Sequence, residues 1–129
     1  MNKSDFRRTL PGYRATPGRF EVLVVDPQRY LMVDGHGDPN AGGPFADAVT
    51  ALFSVGYPLK FASKTQLGRD YVVMPLEALW SATEATAFTT ALDKASWDWT
   101  LMPMVPEWID ETMVADARER ARKKAGAVV

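Results

Sequence analysis

The chain has 129 residues, the length of one compact domain, and its 47% hydrophobic and 24% charged content is typical of a folded globular protein rather than a disordered or fibrous one. Its 15 basic and 16 acidic residues leave a net charge of −1, which gives no general attraction to nucleic acids or anionic membranes. Cysteine is absent and His36 is the single histidine, so we expect no metal centre and no cofactor.

The N-terminal segment predicts an arm rather than a targeting signal. Its first ten residues contain three basic side chains but no apolar run, so neither a signal peptide nor a membrane span is expected, and we predict a cytoplasmic protein. Two Pro-Gly pairs and little apolar periodicity over residues 1–19 predict a polar arm, pinned to the domain by Phe6 or Tyr13. The folded module is expected over residues 20–125.

The next segment is typical of β structure followed by a loop. Two runs rich in β-forming residues, 22–25 and 30–33, flank a turn signal around Pro27, and this predicts either a strand pair or a broken strand. Residues 35–44 concentrate glycine, proline, Asp and Asn, which indicates a loop leading to a helix start.

The centre of the chain predicts a helix that packs on a sheet. Apolar residues recur at helical spacing over residues 44–64. Proline at position 58 removes one helical hydrogen bond and clashes with the preceding turn, so a kink or a break is expected near residues 56–58.

The C-terminal half predicts two strands and a last helix. Residues 71–80 and 97–105 are apolar or aromatic on both faces, as in strands covered on both sides, and residues 81–96 connect them. Pro106 is expected to open the last helix, whose tail over 118–124 is basic. This order predicts an α+β fold, with an antiparallel sheet packed by two helices on one face.

One carboxylate falls among apolar residues. Alternation along the predicted strand over 71–80 puts Glu77 on one face, between Pro75 and Leu79, and Trp80 on the other. A carboxylate on an apolar surface loses hydration, which makes Glu77 a candidate general acid, general base or cation receptor. The alternative is that Glu77 faces solvent at a sheet edge or pairs with an arginine.

Aromatic rings and thioethers concentrate in and beside the same strands. Aromatic walls bind planar rings and organic cations, and methionine adapts to ligands of varied shape, so the sequence predicts a site for such a small molecule. An ordinary aromatic core is the alternative. The candidate ligand-binding residues are Tyr57, Tyr71, Met74, Glu77, Trp80, Trp97, Trp99, Met102 and Met104.

Other chemistry has little support. His36 lies in the glycine-rich loop and is expected to be a solvated side chain. That loop lacks the glycine patterns of nucleotide sites, and the serines have no nucleophile-elbow context.

Four sequence strings carry a family resemblance. YLMVDGHGDPN, AVTALFSVGYPLKF, DYVVMPLEALW and WDWTLMPMVPEWI, in this order, resemble the GyrI-like small-molecule-binding family, and the resemblance runs through residues 20–113. It implies a strand-helix-strand-strand module normally used twice, with a hydrophobic cleft between the halves for bulky, planar or cationic compounds. Related modules are effector-binding domains of multidrug-responsive transcription regulators. Some stand-alone members hydrolyse cyclopropane-bearing DNA-alkylating natural products.

The resemblance leaves three functions open. The leading expectation is effector-type binding of a hydrophobic, aromatic or cationic molecule near Glu77. The second is hydrolysis of cyclopropane-bearing alkylators, with Glu77 and Tyr57 as candidate catalytic residues, and the third is a half-module that interacts with or sequesters a partner. A single module implies an incomplete cleft, which a homodimer would rebuild. Pro58 in the helix string and Ala78, where glycine is common, depart from the family pattern.

Overall fold

The structure is a computed structural model that describes residues 3–40 and 42–125, so the first two residues of the predicted arm and residue 41 of the predicted loop lie outside it. The chain has an α+β fold, as predicted. Its elements in order are β1 (Lys3–Ser4), α1 (Phe6–Thr9), a 3₁₀ turn (Pro11–Tyr13), β2 (Arg29–Tyr30), β3 (Val33–His36), α2 (Pro44–Leu67), β4 (Asp70–Tyr71), β5 (Ala78–Ser81), 3₁₀ turns (Ala85–Phe88 and Lys94–Ser96), β6 (Asp98–Leu101), β7 (Met104–Val105) and α3 (Glu111–Ala125).

The strands form three small sheets. β3, β6 and β5 make an antiparallel sheet with β6 in the middle, β2 pairs with β7 in antiparallel orientation, and β1 pairs with β4 in parallel. None of the helices in the described part of the chain is long and apolar enough to span a membrane.

Helix α2 closes one face of the three-stranded sheet with its N-terminal half. Ala48 and Leu52 are buried against Trp99 and Leu101 of the central strand, and Phe45 packs at the edge of this cluster. The C-terminal half of α2 builds a second cluster with β4, β7 and α3. The buried residues of that cluster are Val55, Leu59, Tyr71, Val105, Ile109, Ala117 and Ala121.

The indole of Trp99 lies directly over Gly35, its cross-strand partner. A Cβ atom added to Gly35 would lie 2.0 Å from the ring, far inside van der Waals contact. The ring is held from other directions as well, because Phe45 meets it edge-on at 5.2 Å between centroids and its N–H donates to the Gly37 carbonyl at 3.3 Å. Only glycine fits at position 35 without moving the core.

Prolines make both long predicted strands shorter than expected. The strand predicted over 71–80 is divided into β4 and β5, with Pro75 between them, and the strand predicted over 97–105 is divided into β6 and β7 around Pro103. Proline cannot donate to a ladder, which explains the interruptions. The Pro103 carbonyl still accepts a hydrogen bond from the Leu31 N–H, at 3.1 Å.

The strand predicted over residues 22–25 does not form. Residues 14–28 carry no ladder, and the side chains of Phe20, Val22 and Val24 are almost fully exposed. The β propensity of this segment is not realised because no strand lies beside it in the described structure.

The helices near prolines differ in part from the prediction. Of the kink or break expected near Pro58, the break does not form, since α2 runs from Pro44 to Leu67 without interruption. Burial of Val55 and Leu59 on either side of the proline, about 1.5–3 kcal/mol for each side chain, offsets its cost of about 3 kcal/mol. The last helix begins at Glu111 rather than Pro106, because Asp110 caps it by accepting a hydrogen bond from the Met113 N–H at 2.8 Å.

The N-terminal arm is fastened to the domain by both residues expected to pin it. Phe6 packs on Trp108, with ring centroids 6.0 Å apart, and Tyr13 donates a hydrogen bond to Glu77. β1 adds a backbone ladder to β4, and the Val72 N–H donates to the Ser4 carbonyl at 2.8 Å.

A buried ion pair ties α2 to β4. The Lys60 ammonium donates to an Asp70 carboxylate oxygen at 2.8 Å, and both side chains are nearly inaccessible to solvent. Lys3 approaches the other oxygen at 3.9 Å. The Lys60 hydrogen bond is the main reason that the pKa of Asp70 is held below its ordinary value.

Replacing Gly35 by alanine should destabilise the protein by about 1–3 kcal/mol, because the new methyl group must displace the Trp99 ring. Gly56→Ala is the matched control. Gly56 lies within α2, and an added Cβ there meets no atom within 4 Å, so this change should stabilise the fold by about 0.5–1 kcal/mol. Urea unfolding measures both, and equal effects of the two substitutions would contradict the close packing at Gly35.

The Asp70 pair predicts a pH dependence of stability. Since the pKa of Asp70 is lower in the folded chain than in the unfolded chain, the stabilisation is present above about pH 4 and is lost as the pH falls through the folded-state pKa. The free energy of unfolding of the wild type should therefore fall more steeply on acidification than that of Asp70→Asn. Identical slopes in acid unfolding curves would count against this role.

Candidate functional site

The face of the three-stranded sheet opposite α2 is open, and Glu77 lies on it. Leu101 of β6 pairs with Ala78, and the next residue, Met102, donates its N–H to the Glu77 carbonyl at 2.8 Å. Alternation places Glu77 on the same side as Leu79, which is 61% exposed, and away from Leu101, which packs on α2. We call this surface the open face.

The Glu77 carboxylate is partly buried, and a phenol holds it. Tyr13, the last residue of the arm's 3₁₀ turn, donates its hydroxyl to Glu77 Oε2 at 2.5 Å. Partial burial, followed by the hydrogen bond and charge of Glu77, raises the pKa of Tyr13 well above its ordinary value. The phenol therefore remains a protonated donor over the physiological range.

A second phenol stands next to this pair. Burial, and then the charge of Glu77, raises the pKa of Tyr30 above its ordinary value. The Tyr30 hydroxyl donates to Gln28 Oε1 at 2.7 Å. One carboxylate and two phenols thus form a small polar cluster at one end of the open face, which we call the Glu77 cluster: Tyr13, Tyr30 and Glu77.

No lysine, arginine or histidine within the described residues forms an ion pair with Glu77. No arginine pair forms there among the residues described, and Glu77 is partly buried beside the edge strand β5 rather than fully exposed to solvent. The carboxylate is hydrogen-bonded by a neutral hydroxyl, which does not cancel its negative charge. This arrangement suits a group that accepts a proton or attracts a cation.

The far end of the open face is polar. The Thr100 hydroxyl donates to Asp34, and His36 Nδ1 lies 2.6 Å from Asp98 Oδ1 in the next cross-strand row. His36 was expected in a loop, but it is the last residue of β3 and is exposed beside its acidic partner. No three acidic or histidine side chains gather into a metal-binding cluster in the described ranges.

A groove of about 1020 Å³ runs along the free edge of β2 and β3. Its floor comes from α2 and α3, and Glu77 does not line it. Tyr30, Met32 and Asp34 line the groove, and alternation puts Asp34 on the open face. The Glu77 cluster therefore meets the groove at Tyr30.

The structure places the candidate residues predicted from the sequence in four different parts of the fold. Met102 lies beside Glu77, whereas Tyr71, Met74, Trp99 and Met104 are buried in the core. Tyr57 lies on α2, on the other side of the sheet, with its ring 6.2 Å from that of Phe53.

Two tryptophans extend an aromatic cluster on the helix side of the sheet. Trp80 stacks on Phe45 with ring centroids 5.9 Å apart. The centroid of the Trp97 ring lies 5.7 Å from that of Trp80 and 5.1 Å from that of Phe88. The Trp97 N–H donates to the Ala87 carbonyl at 2.9 Å. The structure does not bring these tryptophans together with Glu77.

Sequence reasoning missed the two phenols of the cluster. The sequence predicts Tyr13 only as an anchor of the arm, and Tyr13 is 64 positions from Glu77 in the chain. No local pattern joins residues so far apart. Tyr30 could have been found from strand alternation. Residues 30, 32 and 34 lie on the same side of an extended segment, so Tyr30 shares a face with Met32 and Asp34.

Three solved structures from Listeria innocua are similar to this chain. One is described as an uncharacterized conserved protein, with 32% identity and a TM-score of 0.85, and it covers 98% of this chain. Two are described as hydrolases, with 32% and 31% identity, TM-scores of 0.83 and 0.80, and coverage of 99% and 98%. The chain spans only 62–63% of the length of these proteins. No protein-family model and no curated protein sequence matches it.

Proposed function

We propose that the chain is a GyrI-like module that acts as a hydrolase on small organic molecules at Glu77. The observation that carries this proposal is a partly buried carboxylate on an open sheet face, held by a phenol and by no cation within the described residues. The hydrolase descriptions of two similar structures, at 31–32% identity, support the same reaction class. The family resemblance supplies the substrate class, a cyclopropane conjugated to a carbonyl group in a DNA-alkylating compound.

The ring opening needs one base and one water. The Glu77 carboxylate accepts a proton from water while the water oxygen bonds to a ring carbon, and the strained carbon–carbon bond breaks. The bonding electrons move through the conjugated system to the carbonyl oxygen, which then takes the proton from Glu77. One water is added in total, and general base assistance contributes about 10²–10⁴-fold.

Binding without turnover is the second candidate function. It is favoured by the same unpaired charge, because a carboxylate with a neutral partner attracts an organic cation. Met102 and Leu79 add pliable and apolar surface beside it. On this proposal the chain is an effector-binding module, or a half-module that sequesters its ligand.

Glu77→Gln keeps the shape of the side chain and removes its charge. If the protein is a hydrolase, this variant should turn over a cyclopropyl ketone about 10²-fold or more slowly than the wild type, while binding persists. Mass spectrometry measures turnover as the gain of one water. For a cation receptor, an aromatic ammonium should lose about 1–3 kcal/mol of binding and a neutral analogue little. Glu84→Gln, which changes an exposed carboxylate, is the matched control. Equal behaviour of all three proteins in both assays would overturn the role of Glu77.

We also propose that the chain pairs with a second copy through the exposed apolar segment over residues 20–25. Without a partner, three large apolar side chains would remain in water: Phe20, Val22 and Val24. The segment cannot fold back on β2 through a tight hairpin turn, because such turns need positive φ angles that Pro27 cannot adopt. Light scattering should give the mass of a dimer for the wild type and of a monomer for a Val22→Glu, Val24→Glu double variant. A monomeric wild type at high concentration would exclude this assembly.

A further inference from the structure

The N-terminal arm delivers Tyr13 to Glu77 from a fixed position. Upstream of Tyr13 the arm is held by the β1–β4 ladder and by Phe6 against Trp108. The α1 helix is capped by Asp5, which accepts the Arg7 N–H at 3.1 Å, and the 3₁₀ turn follows with Tyr13 at its end. Residues 14–28 then carry no ladder, so Tyr13 is the last firmly placed residue of the arm.

The single proton of the phenol decides what Tyr13 can do. That proton is directed at Glu77 Oε2, so the same hydroxyl cannot donate to a ligand without breaking the hydrogen bond. Burial and the adjacent charge raise the pKa of Tyr13, which keeps the proton on the phenol rather than passing it on. Tyr13 is therefore poorly suited to be the acid of the reaction.

The hydrogen bond leaves the second carboxylate oxygen available. Oε2 is taken by Tyr13, and no other side chain in residues 3–40 and 42–125 donates to Glu77. A phenol also leaves the net charge of the carboxylate in place, whereas an arginine or lysine would cancel it. One oxygen is thus held by Tyr13, the carboxylate keeps its negative charge, and the other oxygen can accept a hydrogen bond.

We propose that Tyr13 is a positioning residue for Glu77, which holds Oε2 so that Oε1 points at water or a cationic group on the open face. This inference rests on the proposed function and assigns part of the site to the arm, outside the module predicted from the sequence. The arm is then a working part of the site, because the hydroxyl is placed by contacts of residues 3–13.

The contact itself can be measured without any ligand. Ultraviolet titration of tyrosine should show that Glu77→Gln lets phenols ionise at lower pH than in the wild type, since the charge and acceptor that oppose ionisation are gone. In a Tyr13→Phe background, Glu77→Gln should shift the tyrosine titration clearly less, because only Tyr30 then remains beside residue 77. A titration that Glu77→Gln does not move would overturn the proposal, whatever the activity of the protein.

Kinetics separate positioning from a purely structural role. With a cyclopropyl ketone as substrate, Tyr13→Phe should lower kcat about 10-fold to 100-fold with KM almost unchanged, the effect of losing a hydrogen bond to a charged group. The Tyr13→Phe, Glu77→Gln double variant should be no slower than Glu77→Gln alone, because Tyr13 acts through Glu77. Thr65→Val, which removes an exposed hydroxyl bonded to the Phe61 carbonyl on α2, is the control and should leave both constants unchanged.

The outcomes divide cleanly. Lower stability of Tyr13→Phe with unchanged kcat would show a structural anchor only and overturn the proposal. Tighter binding of benzyltrimethylammonium by Tyr13→Phe would show that the phenol competes with ligands, and this also overturns it. If the wild type neither binds nor turns over these probes, the proposed function fails and positioning for a ligand fails with it, while the titration still reports whether Tyr13 holds Glu77.

Discussion

The packing of Trp99 on Gly35 determines which face of the sheet is closed. The indole fills the space that a side chain at position 35 would occupy, and Phe45 of α2 meets it from the helix side. With this face buried, strand alternation leaves no choice for the neighbouring positions. Glu77 and Leu79 must lie on the other side, together with Thr100 of the central strand. The position of the candidate site therefore follows from a core contact that does not touch it.

The fold class could be read from the sequence because hydrophobic periodicity reflects burial. The 24-residue α2 helix has a stripe that packs on the sheet, and the expected helix over residues 44–64 lies inside it. The strand limits could not be read in the same way. Pro75 and Pro103 lie inside continuous apolar runs, and only the hydrogen-bond ladders show where pairing stops and resumes. The failure at residues 22–25 has a different origin, since propensity does not supply a neighbouring strand.

The candidate site was predictable in part for the same reason. Alternation separated Glu77 from Trp80, and the structure has them on opposite sides of the sheet, with Trp80 stacked on Phe45. Grouping both into one ligand site by residue type ignored that separation. The partner of Tyr13 could not be predicted, because it depends on the path that the arm takes over β4 and Trp108. Contacts of this kind carry no period in the sequence.

Two carboxylates in this chain show how the choice of partner decides the use of a charge. Asp70 receives a lysine at 2.8 Å, so its charge is neutralised and fastens α2 to β4. Glu77 receives a phenol, which stabilises the carboxylate through one oxygen and leaves the negative charge uncancelled. A purely structural carboxylate in a partly buried position can be held by a cation, whose attraction offsets part of the cost of its lost hydration. The phenol suits a carboxylate that has still to meet a proton or a cation from outside, and Glu77 is partly exposed on the open face of this sheet.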